Sequence, residues 1–163
     1  MTKDQPMAVS ITQAQAHQAD AILALVHAAY AHDVARIGKP PAPMLDDYPR
    51  RIARCQAWVL EHDHAVAGVL ILEDAEGDAL LLDNLAVHPS KQGLGFGRLL
   101  VAFTEQEAAR RGHTSVRLYT NRLMLENLAL YTRLGFQETA RVTEDGYERI
   151  YMEKRVAADA RVI

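Results

Sequence analysis

The chain has 163 residues, 49% of them hydrophobic and 24% charged, with a formal net charge of -3, a balance that suits one folded domain and gives nucleic acid no basic face. A single cysteine, Cys55, can form no internal disulfide, and the opening MTKDQPMAVSITQ has neither the basic nor the apolar region of a signal peptide. The longest apolar run, residues 65–72, is far below the ~20 residues that cross a bilayer, so the expectation is a cytoplasmic protein without a membrane partner.

Residues 8–12 alternate like a short strand, and behind Asp20 the residues Ile22, Leu25, Val26 and Ala29 fall at helical spacing. Residues 37–49 carry four prolines and a glycine, which interrupt helix, and residues 45–54 suit a short second one. Three strands in hairpin order follow at residues 57–62, 65–73 and 79–87, separated by Asp63-His64 and by the turn-forming DAEGD. Between Gly95 and Arg111, apolar Phe96, Leu99, Leu100 and Phe103 predict a helix that closes on Arg110, Arg111 and the glycine stop Gly112. A strand over residues 115–120, a helix over residues 125–134 stopped by Gly135, and a strand pair around TEDGY complete the order. The class is mixed α/β in one domain over residues 1–163, with a core from about residue 8 to 154 and a dispensable tail after Lys154.

The segment VHPSKQGLGFGRLL places Gly93, Gly95 and Gly97 between a strand and a helix. Such a turn aims several backbone N–H groups at one point beside the positive end of a helix, a ready site for phosphate. It is not a P-loop, since Arg98 and Leu99 follow the last glycine where Lys and Ser or Thr are needed. Nor is it the dinucleotide fingerprint, whose third glycine is spaced differently and whose context is an early parallel βαβ unit. What remains is a site for another phosphorylated cofactor, or a tight turn that binds nothing, for which one or two glycines suffice.

The stretch LDNLAVHPSKQGLGFGRLL resembles the acetyl-coenzyme A signature of the GNAT acetyltransferase superfamily, matched at Gln92, Gly95 and Gly97, and ENLALYTRLGFQET resembles the family's later helix with its L-Y-x-x-x-G-F ending. The resemblance implies a central, mostly antiparallel twisted sheet of about six or seven strands flanked by about four helices and splayed between the fourth and fifth strands. It implies acetyl-coenzyme A as co-substrate, with the pyrophosphate on the backbone amides of Gln92, Gly93, Leu94, Gly95, Phe96, Gly97 and Arg98, and with the pantetheine arm paired to Leu85, Ala86 and Val87 like an added strand. Many relatives carry a cation where this chain has Leu94; Asn127 and Arg133 are further candidates for contact with the coenzyme.

By the same resemblance, Tyr131 would give a proton to the departing thiolate, while its place beside Met124 and Leu128 also suits a core tyrosine. Hydrophobic Leu81 stands where some relatives have a glutamate base. Asp83 is the candidate in its stead, with Glu73 or a water chain as alternatives. Tyr30, Arg36 and the proline loop would wall the acceptor site, and Asp33, Asp46 and Asp47 could attract a cationic amine or be surface charges. His88 reads as a loop residue, His62 and His64 as solvated hairpin residues, and no metal is required. The implied reaction is acetyl transfer by direct attack of a primary amine, on a small molecule or a peptide, by a chain that could pair as a homodimer. The alternative is a coenzyme A-binding regulatory module without turnover.

Overall fold

The computed structural model describes residues 8–157. Strand β1 (Val9–Gln13) leads into helix α1 (Ala19–Ile37), which presents Ile22, Leu25, Val26, Ala29, Tyr30 and Asp33 on one buried stripe and stops at Gly38, whose φ of 89° only glycine adopts without strain. The prolines then impose a short 3-10 turn, and α2 (Tyr48–Ala53) begins three residues later than the sequence suggests because the Asp47 side chain caps it, accepting from the Arg50 N–H at 3.1 Å. Next come β2 (Ala57–His62), β3 (Ala65–Ala75), β4 (Ala79–Val87), α3 (Phe96–Arg110), β5 (Ser115–Asn121), α4 (Leu125–Arg133), β6 (Gln137–Glu144) and β7 (Tyr147–Arg155). The turns Asp63-His64 and Asp145-Gly146 have positive φ at both central residues, the twist that two-residue hairpins favour.

All seven strands join one sheet in the order β1-β2-β3-β4-β5-β7-β6, antiparallel except for the parallel pair β4 and β5. Both faces of β3 are covered, which explains its unbroken apolar run: Val69 and Ile71 pack in the cluster with α1, Leu70 and Leu72 in the cluster with α3. In β4 the alternation breaks. Leu80, Leu82 and then Leu85 lie in the α3 cluster, because Asp83 is an extra residue in the ladder between Ile71–Asn84 and Leu72–Leu82. One inserted residue exchanges the faces of all that follow, and so Asn84 and Ala86 turn toward α1.

Two expectations are corrected. His62 is not solvated: it ends β2 as a buried residue with its ring edge-on to Phe96 at 5.2 Å, and only His64 occupies the exposed turn. The core does not end at Lys154, since Arg155 pairs with Ser115, Val156 is buried, and its N–H donates to the Thr114 carbonyl at 2.9 Å. The rest of that tail, residues 158–163, and the opening residues 1–7 read for a signal peptide lie outside the described residues. No helix among the described residues is long and apolar enough to cross a membrane.

Candidate functional site

Strands β4 and β5 pair only from Ala79–Ser115 to Leu82–Leu118, although β4 runs on to Val87 and β5 to Asn121. The parting begins at the Asp83 bulge, which bends β4 where the parallel ladder ends. Along the freed edge, the Tyr30 hydroxyl lies 2.7 Å from Asn84 Oδ1 and 3.0 Å from the Leu85 carbonyl oxygen, and the Gln92 side chain donates to the Val87 carbonyl at 3.3 Å. These contacts hold β4 from behind and tie the glycine turn to its end.

The freed end of β4, the turn, α1 and α4 enclose a cleft of about 570 Å³. Of the residues expected to hold coenzyme A, Leu85, Ala86, Val87, Gln92, Gly93, Gly95, Phe96, Gly97, Arg98, Asn127 and Arg133 line it. Leu94 does not; it is exposed, because the positive φ of Gly93 and Gly95 on either side turns it outward. The three glycines serve different ends. Gly93 and Gly95 hold φ of 84° and 83° with nothing near a would-be Cβ, whereas Gly97 lies inside α3 and its Cβ would meet Leu130 of α4 at 3.5 Å. Lys91 also lines the cleft, a cation that the sequence reading passed over although it stands inside the signature stretch.

A second, smaller cavity of about 50 Å³ shares Tyr30, Leu85, Met124 and Asn127 with the cleft and extends across the splay to Tyr131, Asp83, Tyr119, Tyr147 and Arg149. Tyr131 is buried with its ring edge-on to Phe136 at 5.8 Å, and among the described residues its hydroxyl has no hydrogen-bond partner. Burial raises its pKa well above that of a free phenol, so the group is a proton donor at neutral pH. Asp83 accepts from the Tyr119 hydroxyl at 2.6 Å and from Arg51 at 3.0 Å. Its pKa is raised, with desolvation outweighing the opposing Tyr119 bond and Arg51 charge. Arg51 serves three carboxylates at once, since Asp46 accepts at 2.9 Å and Glu73 accepts as well. Asn84, Tyr119, Tyr147 and Arg149 went unnoticed in the sequence; a polar Asn84 in an apolar strand was the one local sign of them.

The expected acceptor wall is rearranged. Tyr30 lines both cavities, but as a buried group held against β4. Arg36 lines neither: it clips α1 to α4, donating to both carboxylate oxygens of Glu126 at 2.8 and 3.2 Å and to the Leu123 carbonyl at 3.2 Å. That fork holds the Glu126 pKa down at about 2. Asp33 is no surface charge. It faces the cleft from the buried stripe of α1, with His32 at 3.4 Å and Arg36 at 3.8 Å. His32, Asp33 and Glu126 bring one ligand atom each within 4.8 Å of one another, but the Arg36 guanidinium already lies against both carboxylates and supplies their positive charge. Asp46 and Asp47 are likewise engaged, in the Arg51 pair and the α2 cap.

Comparison with known proteins accords with this geometry. Residues 53–138 match the acetyltransferase (GNAT) domain family. An uncharacterized N-acetyltransferase of Bacillus subtilis (strain 168), YvbK, is 28% identical over 122 residues, 75% of this chain and 76% of that one. Among solved structures, the PaiA N-acetyltransferase of Thermoplasma acidophilum in complex with coenzyme A shares the fold at a TM-score of 0.78, with 18% identity over 91% of this chain and 99% of that one. The ribosomal-protein-S18-alanine N-acetyltransferase of Escherichia coli shares it at 0.70, with 23% identity over 92% and 95%. With its family match over more than half its length and its sheet parted between β4 and β5, the chain belongs to the GNAT family of acetyltransferases, and its chemistry is acetyl transfer.

Proposed function

We propose that this enzyme transfers an acetyl group from acetyl-coenzyme A to a primary amine by direct attack, within a single domain that binds both substrates. The observation that carries the reading is the early end of the β4–β5 ladder, beyond which the cleft at the glycine turn and the small cavity at Tyr131 lie next to each other, with Tyr30, Leu85, Met124 and Asn127 lining both. The residues present fit the coenzyme. The first turn of α3 directs its unpaired N–H groups and its dipole at the cleft, Lys91, Arg98 and Arg133 add cations around it, and the unladdered length of β4 offers an extended main chain. That the Thermoplasma acidophilum neighbour was solved with coenzyme A supports the assignment. When bound, the co-substrate supplies a thioester with an electrophilic carbonyl and a thiolate leaving group.

In this reading Gly93 to Arg98 hold the phosphates, and Ala86 and Val87 pair with the pantetheine arm. Asn127, which lines both cavities, orients the end of that arm. Tyr131 gives its phenolic proton to the departing sulfur, which its protonated state and free hydroxyl permit. Asp83 takes up the proton of the attacking amine through water in the small cavity; among the described residues it is the one carboxylate lining that cavity, and burial makes it more basic than a surface aspartate. The test is thiol release from acetyl-coenzyme A with a panel of primary amines. Amine-dependent release is expected, and tight coenzyme A binding without turnover on any amine would overturn the reading.

A further inference from the structure

The geometry points to the class of acceptor: a small amine that also carries a carboxylate, held by Arg149. This rests on the reading of the small cavity as the acceptor end of the transfer site. Among the described residues two charged side chains line that cavity, Asp83 and Arg149. Asp83 is committed, since one oxygen accepts from Tyr119 and the other from Arg51, which supplies its counter-charge. It can receive a proton through water, but it is no counterion for a ligand.

Arg149 is differently placed. Its side chain is 12% exposed, and its carboxylate neighbours Glu144 and Asp145 stand at 3.6 and 4.0 Å, beyond direct hydrogen bonding, with 38% and 84% of their own side chains in solvent. The guanidinium lies over the Tyr119 ring at 4.5 Å and near the Tyr147 ring at 5.6 Å. These ring contacts, and the one with the Tyr151 side chain, leave other N–H donors of the guanidinium for a planar partner, and a carboxylate is the partner whose two oxygens fit that fork. An acceptor of an acetyl group also needs an amine, so the ligand combines both groups.

The cavity limits its size. A water-sized site takes roughly 10–15 Å³ of such volume, so about 50 Å³ holds a group of about three to five heavy atoms, the scale of an amine, a carbon and a carboxylate. The walls are also tied together over it. Tyr147 donates to the Pro40 carbonyl at 2.6 Å, and Lys39 donates to the Gly146 carbonyl at 2.8 Å, which joins the proline loop to the β6–β7 turn. A joined rim favours a small free molecule over the end of a polypeptide.

The experiment compares amines with and without the carboxylate under saturating acetyl-coenzyme A, following thiol release: glycine against methylamine, alanine against ethylamine, 4-aminobutanoate against propylamine, with putrescine and a short peptide as further arms. Amino-carboxylates should exceed their decarboxylated partners by about 10- to 100-fold in kcat/KM, the worth of a hydrogen-bonded charge pair. Arg149→Gln should abolish most of that preference, chiefly through KM, and Arg149→Lys, which keeps the charge and loses the fork, should retain part of it. Calorimetry should find coenzyme A affinity in both variants within about twofold of the parent, since Arg149 does not line the cleft. Plain amines, putrescine or the peptide turning over as fast as the amino-carboxylates would overturn the assignment while leaving acetyl transfer to amines intact. So would a preference that survives Arg149→Gln. Should that variant fail to fold, an undiminished preference in Arg149→Lys does the same. An enzyme that binds acetyl-coenzyme A and acetylates no amine in the panel overturns both this assignment and the function on which it rests.

Discussion

Changing Tyr131 to phenylalanine separates the two roles that one side chain can have in this structure. The ring is buried against Phe136, and phenylalanine keeps it there. Tyr131 lines the small cavity and its hydroxyl makes no hydrogen bond among the described residues, so its loss strands no protein partner and should move stability by less than about 0.5 kcal/mol. Turnover should respond differently. A positioned general acid contributes about 10²–10⁴-fold, and thiolate is a good leaving group, so a loss near 10²-fold is expected, or about 2.7 kcal/mol of barrier. The loss belongs in kcat, with acetyl-coenzyme A affinity little changed, because the proton is given only as sulfur departs. Since burial raises the phenol pKa, the donor form persists up to and beyond about pH 10, and this group should cause no alkaline fall in kcat below that pH. The assay is single-turnover thiol release with a true acceptor, which keeps slow product release from hiding the defect, paired with urea unfolding of both proteins. A variant as fast as its parent in that assay would refute the reasoning and leave Tyr131 as a packing residue.

Gly95→Ala places a Cβ on a residue with φ of 83°, and should cost about 1 kcal/mol in stability and weaken coenzyme A binding about tenfold by calorimetry; Gly97→Val should weaken binding by crowding Leu130 across the cleft, and unchanged affinity in both would reduce the turn to chain reversal. Arg51→Met leaves Asp46, Glu73 and Asp83 without their shared cation and should lower stability by about 2 kcal/mol at pH 7. In that variant the folded-state pKa of Asp83, already raised by burial, rises further above its unfolded value. Its melting temperature relative to the parent should therefore recover as pH falls toward 4, and a constant difference from pH 7 to 4 would contradict this. Tyr30→Phe removes the hydroxyl that holds Asn84 and the Leu85 carbonyl; urea unfolding should record a loss of about 1–3 kcal/mol, and a neutral result would mean that those acceptors find water instead.

Chain order and element type follow from local rules and were legible in the sequence. Periodicity, prolines and glycine stops mark nearly every helix and strand, and β2 and β4 keep their expected bounds because turn residues fix both ends. The glycine turn was legible for the same reason, since positive φ at Gly93 and Gly95 is a property of the backbone alone. Contacts between distant segments were not. The polar pair Asp83-Asn84 interrupts the apolar run of β4 but does not by itself reveal a bulge, because an extra residue shows only against its partner strand, yet the bulge decides that Asn84 faces Tyr30 and that β4 parts from β5. Arg36 looked like an acceptor residue until the fold set Glu126, ninety positions away, within its reach. Arg149 and Tyr119 are unremarkable in sequence and meet only because β5 and β7 pair side by side and bring the guanidinium over the ring. Local sterics and hydrophobic period determine the elements, whereas the charge and shape of the small cavity arise where β4, β5, β7 and the proline loop converge, and only the tertiary structure brings those four together.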